Sequence, residues 1–335
     1  LNPYLAESAS QATETVDNGF DGLLASWACL SPGRNEPTES DSTTPVRGGW
    51  TSNSSWARRP GMTKRREEMA KRKTCAWPAL RDCLAAGWTT LRMPARTHRG
   101  PLPPADEPLT RLATELRRHV AHLAETIGER NLQRRPLQLA QAADYIEAEL
   151  AKHGHAVKRQ AYEVGGSNCC NLEVEIPGTT VPDEMVVIGA HYDSVPGSPA
   201  ANDNASGVAA VLSLAHSFSR ATTGRTLRFV AFVNEEAPYA HTEQMGSRVY
   251  SRRCRQRGEQ VTAMLSLETM GYYSEAPGSQ SYPPAVGLVY PSVGNFIAFV
   301  GNSRYGRLVR QVVAAFRSSE PFPSEGAALP EIVSS

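Results

Sequence analysis

The sequence is poor in several things, and each shortage closes off a class of explanation. Tryptophan is missing beyond residue 104, because all five (Trp27, Trp50, Trp56, Trp77 and Trp88) lie before it, which marks a break in composition. An excess of charge of either sign is missing too. The formal net charge is +1, so the chain as a whole gives no ground for a nucleic-acid or strongly acidic partner. No apolar run approaches the roughly 18 residues that suggest a membrane span. The six cysteines (Cys29, Cys75, Cys83, Cys169, Cys170 and Cys254) contain no C-x-x-C pair that would suggest a structural zinc. A chain of 335 residues needs no disulfide framework. The adjacent Cys169 and Cys170 suit a strained vicinal disulfide or a metal, and suit equally well two ordinary thiols in or near a strand. The start of the chain lacks the charged, apolar and small-residue regions of a signal peptide. It begins with Leu1 rather than Met, so a fragment or processed form is expected and the compartment stays open.

Two unequal parts are present. Residues 1–104 read as an extension, expected to be largely disordered. Positions 31–60 are rich in Ser, Thr, Pro, Gly and Asn without periodicity. The basic run RRPGMTKRREEMAKRK at 58–73 reads as a solvated tail rather than a contact for nucleic acid or membrane. GPLPPADEP at 100–108 reads as a linker. Residues 105–335 are regular. LTRLATELRRHVAHLAETI and LQLAQAADYIEAELAKHG have helical spacing, and AVKRQAYEV, NLEVEI and MVVIGAHYD read as strands. ASGVAAVLSLAHSFS (helix), TLRFVAFVNEE (strand), QMGSRVYSRRCRQRG (helix), AMLSLETMGYY (strand), GLVYP (short strand) and SRYGRLVRQVVAAFRSS (helix) follow. This alternation predicts an α/β fold with a mainly parallel mixed sheet and helices on both faces.

In open α/β sheets the reactive groups gather beyond the carboxyl ends of the strands. His191 and Asp193 close one predicted strand, Glu235 and Glu236 close another, Glu268 lies near the end of a third, and Asp203 precedes a helix. Singly, each has an ordinary structural explanation, such as an N-cap for Asp203. Together they are a histidine and carboxylate set suited to Zn²⁺. A bridging carboxylate is what two ions about 3.5–4 Å apart require. A Glu-Glu pair can divide metal binding from proton transfer. The chemistry indicated is metal-assisted hydrolysis or a close relative of it.

The motifs HYDS, NDNASG, NEE, the MGS that opens a helix, and LETMGYYSEAPGSQ, in this order, resemble those of the co-catalytic dizinc aminopeptidases, a family that also includes glutaminyl cyclases. The resemblance runs from about Leu109 to the C-terminus and leaves out residues 1–100. It implies a zinc-exopeptidase-like three-layer sandwich over 105–335 and two zinc ions acting on a peptide with a free N-terminus. It implies that His191, Asp203 and Glu268 bind one zinc and that Asp203 and Glu236 bind the other. Asp193 would orient His191, and Glu235 would be the general base toward the attacking water. Glu268 stands where many relatives have Asp. The family's second zinc also takes a downstream histidine, and no histidine follows His241 here. His241, in APYAHTEQMGS, is not taken as its substitute, because that ligand arrives from elsewhere in the fold. The expectation is therefore a domain incomplete at its C-terminus, with an incomplete second site and weak activity or none. The alternatives are a glutaminyl cyclase-like acyltransferase and a non-catalytic peptidase-like binding domain. Relatives often work outside the cytoplasm.

Overall fold

The computed structural model describes residues 93–282 and 286–329. The five tryptophans, the basic run at 58–73, Cys29, Cys75, Cys83 and most of the 1–104 extension lie outside the described residues. Residues 93–97 of that extension lie along the C-terminal strand. The Thr97 hydroxyl accepts a hydrogen bond from the Ser324 amide at 2.7 Å, and Arg317 donates to the Pro94 and Ala95 carbonyls.

Helix α1 spans Glu107–Ala121. Asp106 caps it by accepting from the Leu109 amide at 2.9 Å, Pro108 sits in its first turn, and Arg118 and His119 face the negative end of the dipole. A wider turn, His122–Ile127, extends it to Gly128, whose φ of 79° ends the run. Helix α2 spans Pro136–Ala151 and buries Leu139, Ala142, Ala143, Ile146 and Leu150, one stripe at helical spacing.

Five strands form the main sheet: β1 (Lys158–Val164), β2 (Ser167–Ile176), β3 (Val181–His191), β4 (Arg225–Phe232) and β5 (Gln260–Ser266), in the order β1-β2-β4-β3-β5. Pairs β1–β2 and β2–β4 are antiparallel, whereas β4–β3 and β3–β5 are parallel. Strand β4 is buried on both faces, as a continuous apolar run should be. Phe229 and Ala231 face one core together with α2 and helix α3 (Ser206–Phe218), through Ile146, Leu150, Val208 and Leu212. Val230 and Phe232 face the other, with Tyr250 and Cys254 of helix α4 (Gly246–Gln256). The alternation of side chains along one strand thus joins three layers. Cys169 and Cys170 are free, buried thiols in β2.

Two expectations need correction. GLVYP is not a strand: Val286–Leu288 is a short 3₁₀ turn, and Leu288 is 89 % exposed. A β-prone triplet needs a neighbouring strand to hydrogen-bond, and this one lies among exposed Pro- and Gly-containing turns without one. Nor is there one sheet. Strand β6 (Ile297–Asn302) pairs in parallel with β7 (Ser324–Leu329), across helix α5 (Gly306–Ser319), as a separate two-stranded sheet. Three of the five strand pairings are parallel, so the α/β class with a mainly parallel mixed sheet holds.

Candidate metal centre

Because β3, β4 and β5 run parallel, their carboxyl ends open on one edge, with His191 opposite Phe232 and Gly189 opposite Ser266. His191 is the last residue of β3 and is buried. Its Nε2 lies 3.0 Å from Asp203 Oδ1, 3.5 Å from Glu268 Oε2 and 3.8 Å from Glu235 Oε2. Asp203 comes from the turn Ala201–Ala205 that leads into α3, Glu235 and Glu236 from the loop after β4, and Glu268 from the loop after β5. His191, Asp203 and Glu236 each present a ligand atom within 4.8 Å of the others. Glu268 stands outside that trio, on the His191 and Asn204 side.

The loops bend sharply to achieve this. Ala200 (φ 51°), Asn234 (φ 59°) and Thr269 (φ 48°) are non-glycine residues in left-handed conformation, and each adjoins or closely precedes one of the convergent acids. Such strain persists only where surrounding bonds over-determine it. Asp193 supplies some of them: its two oxygens accept from the Glu235 and Glu236 amides, each at 3.1 Å. Its Oδ1 also comes within 3.4 Å of His191 Nδ1, without hydrogen-bond geometry. One buried carboxylate thus faces both the imidazole and the glutamate pair.

Crowding of acids shows in their protonation. Burial, reinforced by Glu268, Asp193 and Glu236, pushes the Glu235 carboxyl up to about 8, with His191 pulling the other way. Burial and the charges of Asp203 and Asp193 raise Glu268 to about 7, and Glu236 is raised chiefly by burial. Burial alone would depress the His191 imidazole, but Glu268, Asp193 and Asp203 outweigh it and hold it well above its ordinary value. Carboxylates packed this closely around one imidazole need a cation to be fully ionised together. The donor set of one imidazole and several carboxylates is the kind that binds Zn²⁺.

Residues 171–318 match the family described as Peptidase family M28. The uncharacterized protein YfbL of Escherichia coli (strain K12) is 35% identical over 215 residues, which cover 62% of this chain and 65% of that protein. Aminopeptidase YwaD of Bacillus subtilis (strain 168) is 45% identical over 65 residues, 19% of this chain and 14% of that one. A zinc-dependent exopeptidase from Parabacteroides distasonis superposes with a TM-score of 0.45 at 17% identity, over 66% of this chain and 78% of that one. The chain thus spans less than two thirds of the length of the curated relatives it matches.

All six predicted site residues fall within the M28 segment, and the fold brings them to one strand edge. Several residues that sequence reading passed over support them. The Asn204 amide nitrogen donates to the Leu267 carbonyl at 2.8 Å and to Glu268, and its oxygen accepts from the Gly207 amide. Asn202 and Ser206 accept from the Gly271 and Met270 amides. The NDNASG motif therefore ties the loop after β5 to the start of α3. Arg130 lies outside the M28 segment and is fully buried beneath the site. Its only sequence signal was a charged residue just after a helix. His241 lies exposed in the loop after Glu236, with φ of 60°, and is not in the ligand trio.

Proposed function

We propose that this chain is a zinc-dependent exopeptidase that removes N-terminal residues from peptides. The observation that carries the reading is the convergence of His191, Asp203 and Glu236 within 4.8 Å, with Glu235 beside them. The match of residues 171–318 to a peptidase family supports it, and so does the likeness to a protein named aminopeptidase.

His191, Asp203 and Glu268 would hold one ion, and Asp203 and Glu236 the other. Bound zinc supplies Lewis acidity toward a peptide carbonyl and toward water. Glu235, beside this cluster, takes the proton from the attacking water and returns it to the leaving amine in a general acid–base role. Asp193 keeps His191 and the two glutamates in register through the contacts described above. Of the residues assigned above, three would serve the first ion and two the second. The first site therefore fills at lower zinc concentration than the second.

The test is zinc-loaded protein assayed on peptides with free and blocked N-termini, beside Glu235→Gln. We expect cleavage of free N-termini only, with kcat lowered about 10²–10⁴-fold in the variant while zinc binding and KM hold. Cyclisation of an N-terminal glutamine on the intact peptide, with release of ammonia and no cleavage of a peptide bond, would replace this reading with a cyclase. Zinc binding with neither reaction would leave a binding domain.

A further inference from the structure

Arg130 is fully buried, yet the charged group at its tip makes five contacts with backbone carbonyls rather than with acids. Nε donates to Tyr192 O at 2.6 Å. Nη1 donates to Pro199 O at 2.7 Å, Gly128 O at 3.1 Å and Leu123 O at 3.2 Å, and Nη2 to Ala200 O at 3.2 Å. The backbone adds a reciprocal tie: Arg130 N donates to the Ser194 hydroxyl, and Ser194 N donates to Arg130 O, both at 2.9 Å.

The choice of carbonyls is informative. Tyr192 lies between His191 and Asp193, and Ser194 follows them. Pro199 and left-handed Ala200 immediately precede the turn that carries Asp203. One planar guanidinium therefore joins the end of β3 to the entry of the Asp203 turn, and anchors both to the turn at 123–128. Burying a charge for stability alone is a poor bargain, since a packed apolar side chain often does as well. A bracket across two ligand-bearing loops gives it another purpose. Burial brings Arg130 down only to about 10, with Asp193 and Asp203 opposing, so it keeps its charge at neutral pH.

We propose that Arg130 is a positioning residue of the metal centre, holding the loop after His191 against the turn before Asp203 so that their donor atoms converge. The inference rests on the reading of these residues as a zinc site. It does not depend on which reaction that site performs. Lysine keeps the charge but offers donors from a single point, and cannot span carbonyls arrayed around a planar fork.

The experiment is a zinc competition titration on the full chain, comparing the parent with Arg130→Lys and with Arg130→Ala in the presence and absence of millimolar guanidinium ion. Folding is checked by circular dichroism and thermal unfolding without metal. We expect the zinc dissociation constant to rise about 10–100-fold in folded Arg130→Lys. Added guanidinium should restore affinity to Arg130→Ala, and methylammonium should not. A folded Arg130→Lys that binds zinc as tightly as the parent overturns the proposal. If neither variant folds, hydrogen exchange on the unaltered chain decides. Zinc must then slow the amides of 123–130 and 194–200, since coupling is reciprocal, and unchanged exchange there overturns the proposal. A parent that binds zinc but cleaves no peptide removes the peptidase reading and leaves this one standing. A parent that binds no zinc sinks both.

Discussion

Asp193 and Glu268 at the centre are each held in place by hydrogen bonds to their carboxylate oxygens. Asp193 spends its oxygens on the Glu235 and Glu236 amides, and Glu268 accepts from Asn204 and Ser266. This yields a pH signature for chelator-treated protein. Glu235, raised to about 8, and Glu268, raised to about 7, hold protons in the fold that an unfolded glutamate loses near about 4.3. His191, well above its ordinary value, acts in the same direction. Groups raised in the folded state contribute stability at low pH and lose it as pH rises through their folded values. Groups shifted the other way act lower. Burial and the Arg118 charge take His119 to about 4. Against the upward pull of burial, hydrogen bonds from Arg118 and Lys152 take Glu149 to about 2. So the metal-free unfolding midpoint should fall between pH 6.5 and 8.5, and Glu268→Gln should flatten the fall. A midpoint rising over that window would contradict the electrostatics described.

The elements that carry these residues are pressed against their neighbours by glycines. At Gly207, in the first turn of α3, an added methyl would meet the Leu267 carbonyl at 2.2 Å and the Asn204 amide oxygen at 2.4 Å. At Gly246, which opens α4, it would meet the Val233 carbonyl at 2.2 Å and Asn171 at 2.4 Å. In each case the nearer atom is a backbone carbonyl, which cannot swing aside as a flexible side chain can. In the first case the displaced backbone directly precedes Glu268. Gly207→Ala is expected to cost about 1–3 kcal/mol of stability, the usual range for overpacking. It should also weaken zinc binding, by pushing Leu267 and Glu268 off the start of α3. Denaturant unfolding with a parallel zinc titration checks both. A variant that lost stability but bound zinc normally would separate the helix contact from the site.

For the molecule as a whole, no helix among the described residues is long and apolar enough to cross a membrane. A ligand that binds only the folded chain stabilises it by mass action. Zinc at a hundred times its dissociation constant should add about 2.7 kcal/mol. At roughly 2–4 °C per kcal/mol for a domain of this size, the unfolding midpoint should rise by about 5–10 °C and fall back with chelator. Glu236→Ala, which removes one of the two donors proposed for a second ion, should keep the part of this rise that comes from the first. Scanning calorimetry over a zinc series measures it, and a midpoint indifferent to zinc would refute the metal-centre reading.

The sequence by itself determined the α/β class and the strand ends at which the polar residues collect, because both follow from local patterns. A continuous apolar run such as LRFVAF has to be a buried strand, and an Asn, Asp and Gly-rich stretch has to turn. Only the tertiary structure decided which of those residues meet. His191 and Glu268 are 77 positions apart and lie within 3.5 Å because two parallel strands share an edge. Arg130 reaches carbonyls up to 70 positions away, and Asp193 faces amides 42 and 43 positions on. GLVYP failed as a strand for the same reason, since strand formation depends on a partner that local sequence does not specify.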